Sequence, residues 1–213
     1  MSMARTNEHK REYLRRLISA SPVYMVNEYK YFVYPFKGLT PIRNVSLNYL
    51  TELLCRMLQA DHEEFRTITT VMTDGVISAL PVAMRLKKDL LIARDFHYNY
   101  PDAVPMQQKT GYRSRLLYIA RANEIREPVV FIDAVVSTGM TALTVVDAFR
   151  ELGIAISHVY TVVNKVEHEG EVRLREAGIA LHALFDVRIE GNQIICVNHG
   201  ENVNGIKRAR QAL

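Results

Sequence analysis

PVVFIDAVVSTGMTALTVVDAF, residues 128–149, is the stretch on which the fold turns. Its first five residues are apolar at every position, the pattern of a parallel strand buried on both faces rather than of a strand with one wet face. Asp133 stands at the tip of that strand. Ser137, Thr138 and Gly139 then make a tight polar turn, and Leu143, Val146 and Phe149 recur at helical spacing, which predicts a helix over 139–152. A buried strand that passes through a short turn directly into a helix is half of a βαβ unit.

Outward from this junction the same alternation repeats. Downstream, the patterns predict a strand at 158–163, a helix at 170–177, a strand at 181–189 and, after the turn Glu190-Gly191-Asn192, a short strand at 193–197. Upstream, a strand at 67–72 is followed by a turn at 73–76. A helix at 79–88, with Pro81 in its first turn, then leads to a strand at 90–93. Residues 95–113 hold no sustained period and are longer than a simple connection, as functional lids are, and a short strand follows at 116–119. Strands separated by helices imply right-handed crossovers, so the expected class is α/β, with a mostly parallel central sheet and helices on both faces. Before this core, 8–19 reads as a helix, YKYFVYPF at 29–36 as a strand, and 47–58 as an amphipathic helix that Ser46 can cap. The expected organisation is a small cap or hood over 1–45, a core over 46–197 and a basic tail over 198–213.

Composition sets outer limits. At 213 residues, 48% hydrophobic and 23% charged, the chain resembles ordinary globular proteins. The first twenty residues carry scattered charge and no signal-peptide core, and no run approaches a membrane span, so a cytoplasmic protein without a membrane partner is expected. Cys55 and Cys196 have neither metal-knuckle spacing nor a disulfide framework. A net charge of +4 is spread along the chain, with modest clusters at 10–16 and 207–210, so no specific nucleic acid is expected.

The chemistry is expected beyond the carboxyl ends of the parallel strands, which returns attention to residues 133–141. A Ser-Thr-Gly turn at a helix N-terminus aims several backbone N–H groups at one point, and the helix dipole adds partial positive charge. Ser137, Thr138 and Thr141 can add hydroxyl donors, and Gly139 and Met140 complete a cradle suited to a phosphate dianion. Asp133 is placed to accept hydrogen bonds from a sugar diol beside that phosphate. Neither G-x-x-x-x-G-K-[ST] nor G-x-G-x-x-G occurs, which excludes a Walker ATPase and a Rossmann dinucleotide site. Read alone, Ser-Thr-Gly-Met-Thr is equally an ordinary helix cap.

VVFIDAVVSTGMTA at 129–142 resembles the signature of type I phosphoribosyltransferases, in which a hydrophobic strand leads through an acidic tip into a Thr-Gly-x-Thr phosphate loop. YFVYPF near the start, followed by the helix at 47–58, is most similar to the archaeal-type purine subgroup, with hypoxanthine or adenine as acceptor. The resemblance implies a glycosyltransferase (pentosyltransferase) of purine salvage that moves the phosphoribosyl group of phosphoribosyl pyrophosphate to a purine base, with Mg2+ and a homodimeric assembly. It implies that Thr73, Asp74, Gly75 and Arg94 hold the pyrophosphate, and that Lys109 and Tyr112 belong to a catalytic hood over 95–113. It also implies that Asp133 serves the ribose diol and, indirectly, the metal. Lys165 would donate to a 6-oxo group, Phe185 and Asp186 would stack and edge the base, and Tyr31 or Phe32 would cover it. Each has an ordinary reading too: Arg94 as a surface arginine, Lys109 and Tyr112 as solvated loop, Phe185 as a core aromatic.

The chain departs from the family pattern at Ala134, where a second acidic residue is usual; one lost charge-assisted hydrogen bond costs about 1.5–3 kcal/mol. No acidic general base is visible at Ser137 either. Ala134 keeps open a regulator that senses phosphoribosyl pyrophosphate or nucleotide without efficient chemistry, although the roughly thirty residues before the strand at 29–36 are too few for a separate DNA-reading domain. Orotate is the remaining alternative acceptor.

Overall fold

The computed structural model describes residues 3–26, 29–60, 64–95, 102–109, 114–120 and 122–201, with backbone only for 3–6, 109 and 122. Its elements are α1 (Met3–Ser19), β1 (Val23–Val26), β2 (Tyr29–Phe32), α2 (Asn44–Ala60), β3 (Thr67–Val71), α3 (Asp74–Leu86), β4 (Asp89–Ala93), β5 (Val104–Lys109), β6 (Ser114–Ile119), β7 (Val129–Val136), α4 (Met140–Glu151), β8 (His158–Lys165), α5 (Gly170–Glu176), β9 (Ala180–Glu190) and β10 (Gln193–Asn198).

Six strands form the central sheet in the order β10-β9-β8-β7-β3-β4, parallel except for the antiparallel β9–β10 edge. β7 and β3 lie at its centre, and their apolar residues reach both faces. Ile68, Val130 and Ile132 join one buried cluster with α1, α2 and α3, while Val129 and Phe131 join another with α4, α5 and the β5–β6 hairpin. The expected α/β class with helices on both faces is the observed one.

Local differences have identifiable causes. α3 begins at Asp74, immediately after β3, so Pro81 sits at its eighth position and not in its first turn. Its missing N–H leaves the carbonyl of Ile77 without the usual helical donor. α2 likewise begins before Ser46, whose N–H bonds Arg43 O at 3.0 Å and whose hydroxyl meets the Tyr13 hydroxyl at 3.1 Å. Ser46 therefore ties α2 to α1 instead of capping it. β2 ends at Phe32, and Tyr34 and Phe36 leave the strand to bury themselves in the core. β7 runs four residues past Ile132, so Asp133 lies within the strand. Residues 104–109, read as part of a featureless lid, are a strand that pairs antiparallel with β6.

Candidate active site

The chain leaves β3 for β4 on one side, then crosses to β7 on the other. The carboxyl ends of β3 and β7 are therefore neighbours at the switch point of the sheet, where open α/β folds leave a crevice. A cavity of about 270 Å³ opens there. Thr73, Asp74 and Gly75 line one side, where α3 starts; Ser137, Thr138, Gly139, Met140 and Thr141 line the other, where α4 starts. Asp133 lies at the floor, and Tyr29, Tyr31 and Phe32 of the N-terminal hairpin complete the wall with Lys165.

Two glycines let these parts meet. A Cβ on Gly75 would fall on Thr70 Oγ1 and 3.3 Å from Asp133 Oδ1, so only glycine admits α3 this close to β7. Gly170, the first residue of α5, lies against the backbone of the 137–139 turn: its Cβ would strike the Ser137 carbonyl oxygen and sit 2.8 Å from Gly139 N. Gly139 itself has φ +77°, the left-handed region, and turns the loop into α4. The loop is further fixed by Gln108, whose Nε2 donates to Thr141 Oγ1 at 3.0 Å. Arg115 continues the link, donating from Nε to Gln108 Oε1 at 2.5 Å and from a terminal nitrogen to the carbonyl of Met72, just before Thr73. One chain of hydrogen bonds thus runs from one loop to the other across the β5–β6 hairpin.

The electrostatics are those of a partly desolvated crevice. Burial pushes the Asp133 carboxyl up to about 7, and Asp74 adds to the rise, while the Ala134 N–H, 2.7 Å from Oδ1, and Arg115 oppose it. For Lys37, burial favours the neutral amine, yet the Asp74 carboxylate at 3.0 Å outweighs it and raises the ammonium above its usual range. Burial lowers Lys165, whose side chain is 2% exposed, against the pull of Glu167. Its Nζ donates to Lys30 O at 2.9 Å and to the Tyr29 hydroxyl at 3.1 Å.

No family model matches the chain. Relatives do. The chain is 31% identical over 176 residues, covering 82% of its length and 90% of the relative's, to a hypoxanthine/guanine phosphoribosyltransferase of Methanosalsum zhilinae. The chain belongs to the type I phosphoribosyltransferase family. A hypoxanthine/guanine phosphoribosyltransferase of Methanocaldococcus infernus is 28% identical over 85% of the chain and 98% of its own length. The fold is that of adenine phosphoribosyltransferases from Thermoanaerobacter pseudethanolicus (TM-score 0.67, 18% identity, 83% of this chain and 99% of that one) and Saccharomyces cerevisiae (TM-score 0.66, 14% identity, 83% and 98%).

Against the phosphoribosyltransferase pattern, the structure gathers Asp133, residues 137–141, residues 73–75 and Lys165 around one cavity and leaves three expected residues away from it. Arg94 is exposed at the end of β4, its backbone bridged to Tyr118 and its side chain absent from the lining. Arg115 is the guanidinium that lines the cavity in its stead. Phe185 is fully buried in the core, because every residue from Ala183 to Val187 of β9 packs inward on one face or the other. Asp186 is turned to a separate polar cluster, accepting from Asn164, His199 and the Gly200 N–H. Tyr112 lies outside the described residues, as does the side chain of Lys109, whose backbone pairs with Ser114. Lys37, Gln108, Arg115 and Gly170 escape sequence reasoning. Met106 and Gln108 are the buried positions of VPMQQK, but because one of the two is a glutamine the alternation of a half-buried strand is visible only in the structure.

Proposed function

We propose that this phosphoribosyltransferase transfers the phosphoribosyl group of phosphoribosyl pyrophosphate to a purine base, with hypoxanthine or guanine favoured over adenine, releasing pyrophosphate and a nucleoside monophosphate. The observation that carries this reading is the meeting of an anion cradle, a buried carboxylate and a second loop in one cavity at the switch point. The amides of residues 138–141 and the α4 dipole suit the 5-phosphate. The Asp133 carboxylate faces the position of the ribose diol. Arg115 and the N-terminus of α3 suit the departing pyrophosphate, the guanidinium through its planar fork. Breaking the C1–pyrophosphate bond leaves an oxocarbenium-like sugar, so the protein's part is to position the reactants and stabilise charge. A donor such as Lys165 matches an oxygen at purine C6 and mismatches the amino group of adenine.

The residues fit magnesium as well. Asp133 and Asp74 bring mutually repelling carboxylates to the cavity, a charge that a divalent cation relieves. Among the described residues the group of three ligand-type side chains close enough to share an ion is Glu171, Asp186 and His199, none of which lines the cavity. The ion's remaining ligands would be substrate oxygens and water, as magnesium prefers. Bound there, it would supply charge neutralisation across the diphosphate and the sugar diol.

A homodimer is part of the proposal. Leu80 and Met84, one turn apart on α3, are 44% and 73% exposed, and Leu39 is 72% exposed. No helix among the described residues is long and apolar enough to cross a membrane, and free, buried Cys55 and Cys196 suit the reducing cytoplasm. The test is direct: with magnesium and phosphoribosyl pyrophosphate, each of adenine, hypoxanthine, guanine, xanthine and orotate is supplied and nucleotide formation followed. Inosine and guanosine monophosphates are expected. Nucleotide from orotate alone, or from no base, overturns the reading.

A further inference from the structure

Tyr29 has no part in phosphoribosyl transfer as described, yet the polar contacts of the cavity converge on it. Its ring lies nearly parallel to the His168 imidazole, centroids 5.0 Å apart at 19°. Its hydroxyl is 2.8 Å from Ser137 Oγ and 3.1 Å from Lys165 Nζ, and that ammonium also stands 4.4 Å from the ring centroid. A planar six-membered ring bearing an exocyclic oxygen is therefore held flat by an imidazole and by its oxygen-bearing edge between a hydroxyl and an ammonium. A base with an oxygen at C6 presents the same shape and the same acceptor. Lys165 is buried and must keep acceptors around it, so whatever replaces Tyr29 must bring an oxygen. His168, its basicity lowered by burial and by Lys165, is a neutral ring that stacks without repelling the ammonium beside it. His168 does not line the cavity, because Tyr29 covers it. The hairpin that carries Tyr29 is two strands of four residues, paired with each other and outside the central sheet, with β1 largely exposed. Such a unit moves at low cost.

We propose that Tyr29 occupies the seat of the acceptor base, that His168 becomes the base's stacking platform once Tyr29 leaves, and that Tyr29 acts as an internal competitor selecting ligands that carry an oxygen at its hydroxyl position. This rests on the transfer reading for the identity of the base but not for the existence of the seat. The test combines kinetics for hypoxanthine at saturating phosphoribosyl pyrophosphate with calorimetric binding of inosine monophosphate, which needs no turnover. Tyr29→Ala should lower KM for hypoxanthine and Kd for the nucleotide about tenfold, and Tyr29→Phe, which keeps the ring, by less. His168→Ala should raise both about 10- to 100-fold, the loss of one base–aromatic stack, with KM for phosphoribosyl pyrophosphate unmoved. Weaker nucleotide binding in Tyr29→Ala, or unchanged binding in His168→Ala, overturns the seat. Nucleotide binding with these dependences but no transfer to any base overturns the transfer reading and leaves the seat standing. No nucleotide binding in wild type or variants overturns both.

Discussion

Asp133 carries opposite demands of stability and chemistry in a single carboxyl. Its folded value of about 7 lies above the ordinary 3.8, so between those values the folded chain holds a proton that the unfolded chain has released. Stability from this group is therefore complete below about pH 4 and is lost as the pH rises toward 7, while the ionised form that the proposed contact to a sugar diol requires accumulates over the same range. Asp133→Asn should flatten thermal stability between pH 4 and 7 in metal-free buffer and lower kcat about 10²- to 10³-fold, the scale of one lost electrostatic stabiliser. A wild-type Tm that does not fall across that interval would remove the account. Gly170 gives a purely steric counterpart. A methyl group there meets the Ser137 carbonyl and Gly139 N, both backbone, so the loop proposed to hold the 5-phosphate must shift. Gly170→Ala should cost about 1–3 kcal/mol of stability and raise KM for phosphoribosyl pyrophosphate more than KM for the base. Equal effects on both KM values would show that the loop was not what moved.

At the scale of elements, the β5–β6 hairpin decides whether the two loops that start α3 and α4 act together. Gln108 is buried, holds Thr141 and receives Arg115, which reaches back to Met72. Arg115→Gln should raise KM for phosphoribosyl pyrophosphate about 10- to 100-fold and speed amide hydrogen exchange in β5, with KM for hypoxanthine changed far less; slower transfer with unchanged exchange would make Arg115 a charge and not a strut. The hairpin is also where sequence reading stopped. β7 was legible because a short all-apolar run bounded by turn residues suits a strand buried on both faces, and the start of α4 because glycine and hydroxyl residues favour a helix N-terminus, whether as a plain cap or as an anion cradle. β5 hides its inward face behind a glutamine and opens with Val104-Pro105, so its period is masked by the residue that does the linking. Arg94 drew attention by following a strand, but a position in sequence says nothing of where a side chain turns, and the hairpin delivers Arg115 instead. Phe185 shows the converse, an aromatic whose strand is so thoroughly buried that none of its ring reaches the cavity.

For the molecule as a whole, the antiparallel edge is closed by a second titrating cluster, and its pH dependence separates from that of the cavity. His199 Nδ1 lies 2.8 Å from Asp186, whose other oxygen accepts the Gly200 N–H, so the turn after β10 is tied to β9. The Asp186 hydrogen bond raises His199 above its usual 6.5 against the effect of burial; Asp186 is lowered because His199, Gly200 and Asn164 together outweigh the burial that would raise it. Stability from the histidine is complete below about pH 6.5 and is lost as the pH rises through its folded value. That from the aspartate is present above 3.8 and is lost as the pH falls through its lower folded value. The pair is thus strongest near pH 5–6, where His199→Gln should lower Tm by about 2–4 °C, a figure reduced for the partial exposure of the imidazole. The deficit should shrink above pH 7. β7 and β9 are separated by β8, about 10 Å at ordinary strand spacing, far enough for the two clusters to act independently. Asp133→Asn should therefore remove the slope of Tm below pH 7 and His199→Gln the slope above 6.5, and the double variant should lose both by simple addition. A double variant that departs from addition by more than about 0.5 kcal/mol would mean that protonation at the edge of the sheet is felt in the cavity, through Asn164 and the neighbouring Lys165 on β8.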